Sequence, residues 1–168
     1  MSKAAASDFD RAMEELQRLI DEEERVTYSP QVIQESHFPQ NLGRMSAPDA
    51  FAVVRGWCGD TMEIYLRVDD GRIAQATFMT DGCGPTVACG SKLTSVVQGL
   101  SLEEAQQITS DELRTALGGL PEESVHCAQL AVNTLHEALA SYQRQSRDGR
   151  ARAEVARQAG DLMRQGYH

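Results

Sequence analysis

The chain has 168 residues, 41% of them hydrophobic and only 5% aromatic, and a formal net charge of −9. That length supports one ordinary domain with extensions, built on an aliphatic core. No apolar run approaches the roughly 18 residues that cross a bilayer, and the acidity leaves no basic face for nucleic acid, so neither a membrane nor a nucleic acid is expected as a partner. The first ten residues hold no apolar leader, and a cytoplasmic location is expected. In that compartment four cysteines point to metal binding or reactivity rather than to disulfides.

The ends differ in charge. Residues 1–25 hold eight acids against four bases, and residues 144–168 hold six arginines against three acids. Both read as solvated helical faces, or as ends that pair with each other or with a partner protein.

From Asp8 to Glu24, Phe9, Met13, Leu16, Leu19 and Ile20 recur at helical spacing. Tyr28 to Gly43 reads as a short helix turning into a loop. Phe51 to Val54 is a short strand. Met62, Ile64, Leu66 and Val68 alternate with polar residues, as a half-buried strand does. Asp70-Gly71 supplies the two left-handed residues of a tight hairpin turn, and Arg72 to Thr80 returns as its partner strand.

A helix follows from about Pro85 to Val97 and ends at Gly99. Ser101 with Glu104 forms a capping box for a short helix. Ser110 caps another, which Gly118-Gly119 stops. Val125, Ala128, Val132, Leu135 and Leu139 mark one face of a longer helix that starts near His126. The tail from Asp148 to Arg164 carries a weak stripe at Val155, Ala159, Leu162 and Met163. The order predicts an α+β fold: a three-stranded antiparallel sheet packed on one face by helices, with extra helices at both ends.

Chemistry concentrates at Cys58-Gly59-Asp60, Cys83 and His126-Cys127. Three thiols, a carboxylate and an imidazole make a ligand set for a soft or borderline metal. Cys58 lies just before the second strand and Cys83 just after the third, so a hairpin brings them to one end of the sheet. Cys83 and Cys127 fall at predicted helix starts, where unpaired backbone N–H groups favour thiolate. Strong thiolate ligands mixed with weaker oxygen and nitrogen ligands, on three separate segments, suit a cargo that is accepted and released. The competing readings are structural: three buried core cysteines, a turn aspartate at Asp60 and a helix-cap histidine at His126. Cys89, six residues past Cys83 and about 240° around a regular helix, is expected in the core. His37, His136 and His168 read as surface residues.

These residues carry a resemblance. The chain resembles iron–sulfur cluster assembly scaffolds of the IscU and NifU N-terminal type. The match runs through Tyr28-Ser29, Val32-Ile33, Pro39, Asn41, Gly43, Cys58-Gly59-Asp60-Thr61-Met62, Val68-Asp69-Asp70-Gly71-Arg72-Ile73, Gly82-Cys83-Gly84, Leu120-Pro121 and His126-Cys127. The resemblance implies a scaffold domain at 28–142, an acidic helical extension at 1–27 and a basic helical tail at 143–168. It implies a non-enzymatic scaffold that assembles and transfers a labile [2Fe–2S] cluster, or holds a single iron or zinc, on Cys58, Cys83 and Cys127 with Asp60 and His126 as alternates.

The implied partners are a cysteine desulfurase, which delivers sulfur as persulfide to Cys127, and recipient apoproteins. The alternative is a zinc-binding sulfur acceptor that activates the desulfurase. The family's insert before the last helix in its zinc-dependent sulfur-relay branch is missing here, which favours assembly. Three departures stand out. Glu122-Glu123-Ser124 replaces the family's Pro-Val-Lys, which removes both a lysine near the site and the sequence read by an Hsp70-type chaperone, so chaperone-assisted release does not carry over. Cys89-Gly90-Ser91 replaces a serine run, and Glu35 replaces a histidine.

Overall fold

The computed structural model describes residues 7–165. Its elements are α1 (Asp8–Thr27), α2 (Pro30–His37), β1 (Ala50–Arg55), β2 (Thr61–Asp69), β3 (Arg72–Thr80), α3 (Gly84–Val97), α4 (Leu102–Gln106), α5 (Ser110–Ala116), a 3-10 turn at Glu122–Ser124, and α6 (Val125–Gln165). The α+β expectation holds: the strands form one antiparallel sheet in the order β1-β2-β3. Asp70 and Gly71 take positive φ of 50° and 72°, the pair of left-handed residues that a tight hairpin needs. The resulting register sets Arg55 opposite Thr61, and Met62 opposite Thr80. The start of β2 and the end of β3 therefore share one edge of the molecule, together with the chain leaving β1.

Alternation decides which face is buried. Ala50 and Ala52 of β1, Met62, Ile64 and Leu66 of β2, and Ile73, Ala76 and Phe78 of β3 face the core. α6 covers β1 and β2, and α3 covers β3. The other face stays open, where Phe51 stacks on Tyr65 at 5.9 Å between centroids. Beside that stack Arg44 makes a paired hydrogen bond to Glu63, at 2.8 and 2.9 Å.

α3 reaches the sheet closely because Gly90 lacks a side chain. A Cβ there would stand 2.4 Å from the ring of Phe78, which is fully buried. Gly90→Ala should therefore cost about 1–3 kcal/mol through overpacking, read as a lower urea midpoint with an unchanged slope. Unchanged stability would mean that the helix can back away from the sheet. The next residue, Ser91, ties α3 to α2: its hydroxyl donates to Glu35 and accepts from the backbone N–H of Gln40 at 2.8 Å. Glu35, one of the departures noted in the sequence, is thus the partner of Ser91.

Several boundaries move. Thr109 rather than Ser110 caps α5, through a capping box with Glu112. The last helix and the tail are one element of 41 residues. Gly149 within it meets nothing within 4 Å of a would-be Cβ, and a glycine costs a helix only about 1 kcal/mol, so the helix runs through. The apolar stripe of α1 is present but buries none of its residues. Phe9, Met13, Leu16, Leu19 and Ile20 are 46–71% exposed. α1 packs mainly on α2, where Glu24 pairs with His37 at 2.9 Å. Among the described residues no ion pair joins α1 to α6. No described helix is long and apolar enough to cross a membrane.

Candidate functional site

The hairpin edge gathers most of the candidate ligands. The segment joining β1 to β2 closes on itself: the N–H of Gly56 donates to the carbonyl of Asp60 at 2.7 Å, and that of Gly59 to Gly56 at 3.0 Å. Gly59 takes φ of +95°, a left-handed conformation that glycine adopts without strain. This loop exposes Cys58 and turns Asp60 inward. At the opposite side of the edge, Thr61 N–H donates to Asp81 at 2.6 Å and Thr80 Oγ1 to the Thr61 carbonyl at 2.7 Å. The Gly82 N–H then donates to Thr80 Oγ1 at 3.0 Å. These bonds fix the chain that enters α3, whose N-cap is Cys83.

Three of the five expected residues meet around a residue that sequence reasoning passed over, and a fourth, His126, stands against one of the three. Thr86 Oγ1 lies 3.1 Å from Asp60 Oδ2, 3.3 Å from Cys127 Sγ and 3.6 Å from Cys83 Sγ. His126 Nε2 lies 3.7 Å from Cys127 Sγ, and its ring packs edge-on against Trp57 at 5.4 Å. Cys58 belongs to the same neighbourhood through its loop. A Cβ built on Gly56 would stand 3.6 Å from Cys58 Sγ and 3.4 Å from Leu130, a residue of α6.

The cluster of candidate ligands is open. Cys58 and Cys83 are exposed, whereas Cys127 is buried. Among the described residues no three of His, Cys, Asp and Glu are already gathered as a ready metal cage. Its donors, three sulfurs with one oxygen or nitrogen, are those that iron and zinc accept.

Gly82 makes the arrangement sterically feasible. A Cβ there would lie 2.7 Å from Thr86 and 2.8 Å from the Asp60 carboxylate. A glycine just before a cysteine at a strand–helix junction was the available sign. Thr86, one helical turn past Cys83, was the other, since residues three apart share a helix face.

The electrostatics correct one expectation. Cys127 is at the start of α6, yet its thiol is not made acidic. Burial pushes it up to about 11, and the neighbouring Cys83 and Asp60 add to this, against the Thr86 hydrogen bond that lowers it. Desolvation disfavours the thiolate. Cys89 is fully buried, and burial, then the nearby thiols of Cys127 and Cys83, raise its thiol strongly. It packs in the core as expected, but behind the site rather than far from it.

For the metal-free protein the sign follows directly. The folded state keeps the Cys127 proton in a range where the unfolded chain, near 8.5, has lost it. Stability should therefore fall as pH rises from about 8.5 towards 11. Urea midpoints at neutral and alkaline pH measure this, and the slope should shrink in Cys127→Ala. An identical slope would place the effect elsewhere.

Among the other histidines, His37 is exposed and paired as described, whereas His136 is half-buried rather than at the surface, with its Nε2 unpartnered inside. His168 lies outside the described residues, as do the side chains of Leu162 and Met163 in the expected tail stripe.

Residues 27–148 match the family described as the NifU-like N terminal domain. The chain is 38% identical over 120 residues to iron-sulfur cluster assembly scaffold protein IscU 1 of Archaeoglobus fulgidus, covering 71% of this chain and 78% of that one. It is 36% identical over 122 residues to the IscU scaffold protein of Escherichia coli, covering 70% and 94%. The fold is similar to the crystal structure of a NifU-like N-terminal protein from Brucella abortus, with a TM-score of 0.56 at 18% identity over 69% of this chain and 94% of that one.

Proposed function

Because the chain belongs to the NifU-like N-terminal domain family, an iron–sulfur scaffold family, we propose that it assembles a labile [2Fe–2S] cluster on Cys58, Cys83 and Cys127 and passes it to recipient apoproteins. The cluster is cargo, and the protein is a scaffold rather than an enzyme. The observation that carries this reading is the convergence of Asp60, Cys83 and Cys127 on one buried hydroxyl, with His126 against Cys127 and the loop that bears Cys58 beside them. Thiolates bind iron firmly, while the carboxylate and imidazole supply a position that opens easily. Residues 28–142 are the working domain, a division supported by the family match to 27–148. Residues 1–27 and 143–168 are its extensions.

A cysteine desulfurase supplies the sulfur. The Cys127 thiolate attacks the outer sulfur of the desulfurase persulfide, the S–S bond breaks, and the desulfurase leaves as a thiolate. His126, whose Nε2 lies 3.7 Å from the Cys127 sulfur, takes the thiol proton as the thiolate forms. Mass spectrometry after incubation with a desulfurase and cysteine, under conditions that preserve persulfides, is expected to map one added sulfur atom to Cys127. Mapping to Cys58 or Cys83 with Cys127 unmodified would overturn the assignment.

The whole reading is tested by adding ferrous iron and sulfide without oxygen. A stable sulfur-to-iron charge-transfer spectrum, lost in Cys58→Ser, supports the cluster. A colourless protein that retains tightly bound zinc instead would favour the sulfur-acceptor role.

A further inference from the structure

Thr86 is a buried helical threonine with an unusual choice of partners. Such a residue normally donates to the carbonyl three or four residues back. The other two fully buried threonines in helices do so: Thr94 donates to Gly90 and Thr134 to Leu130, both at 2.7 Å. Thr86 is equally buried, yet the side-chain partners of its hydroxyl are all candidate ligands: Asp60, Cys83 and Cys127. An inaccessible hydroxyl is costly unless paired, so its orientation is tied to theirs. β-branching restricts its χ1, and the space that the missing Gly82 side chain leaves is filled by Thr86 and the Asp60 carboxylate together.

Two weak ligands compete to complete the site. Asp60 is held from one side by Thr86. His126 is held from the other by Trp57 and stands beside Cys127. We propose that the Thr86 hydroxyl decides this competition: by donating to one oxygen of Asp60 it keeps the carboxylate over the sulfurs, so that metal is bound by three thiolates and Asp60 rather than by three thiolates and His126. The inference rests on the three-cysteine site of the scaffold reading.

Its logic is that of an outer group orienting a ligand. The oxygen that accepts from Thr86 is fixed, and the other oxygen remains free for the metal. Without the hydroxyl the carboxylate is released to water, and the imidazole, a better ligand for a borderline cation, takes the position. Thr86 is thus a positioning residue, and it selects the more easily displaced ligand.

The test uses Co2+ alone as the probe on the full chain without oxygen. The readouts are sulfur-to-cobalt charge-transfer absorption and the far-shifted, solvent-exchangeable imidazole N–H proton resonance that cobalt-bound histidine gives. The wild type is expected to show charge transfer and no such resonance, and His126→Ala should match it. Thr86→Val and Asp60→Ala should gain the resonance, and Thr86→Ser should lose it again. Should Thr86→Val fail to fold, Thr86→Ala takes its place.

A resonance in the wild type, or none in the hydroxyl-free variant, overturns the role of Thr86 and leaves the three-cysteine site standing. Absence of charge transfer in the wild type removes the site and this inference together.

Discussion

Cys83→Ser is expected to abolish tight metal binding, and Cys89→Ala to leave it nearly intact. The two thiols are six residues apart on one segment, but the fold gives them opposite surroundings. Cys83 caps α3, is exposed and lies 3.6 Å from Thr86 Oγ1. Cys89 is fully buried in the core, where burial holds its proton in place. Binding metal there would require breaking the packing around it, whereas Cys83 needs only to rotate. Alanine is the better probe at Cys89, because a buried serine hydroxyl without a partner costs about 1–3 kcal/mol and would confuse stability with binding. Competition against a chelator with zinc measures both variants. If Cys89→Ala loses metal as severely as Cys83→Ser, Cys89 is a ligand and the core assignment fails.

Asp60→Ala is expected to lengthen the lifetime of a bound cluster by about tenfold, which corresponds to ~1.4 kcal/mol in the barrier to loss. A carboxylate oxygen is a poor partner for iron already surrounded by sulfur, and it can take up a coordination position and leave again. Its removal closes that exit, and His126 stands beside Cys127 to fill the gap. Decay of the visible spectrum under chelator challenge gives the comparison. Equal or faster decay in the variant would show that Asp60 holds the cargo rather than releases it. Gly82→Ala offers an independent check, since its methyl group would collide with both Asp60 and Thr86 and should disturb the same lifetime without deleting the carboxylate.

Local rules carried much of this arrangement. Asp70-Gly71 fixed the hairpin, alternation fixed the buried face of β2, and these two facts alone brought Cys58 and Cys83 to one edge. What stayed hidden depended on packing. Thr86 has an ordinary side chain, and its importance comes only from what surrounds it. The thiol of Cys127 looked activated because its helix start is visible in sequence, while its burial is not. The single α6 was missed because Gly149 and a polar tail resemble a break, yet an exposed glycine barely interrupts a helix already nucleated against the sheet. The stripe of α1 was correctly read as helical, but nothing in its spacing said that the chain itself would leave it uncovered.

Cys127 is at once a candidate ligand and part of the hydrophobic core. Whatever this residue binds is therefore in thermodynamic contact with the fold as a whole. Cargo that binds only the native state adds RT ln(1 + [L]/Kd) to its stability, about 2.7 kcal/mol at a hundredfold excess over Kd. The loaded protein should melt as a distinctly more stable species, and handing the cargo over should return it to a looser one. Delivery then leaves a record in the scaffold: a recipient that draws the cluster away also lowers the melting temperature of the protein that carried it.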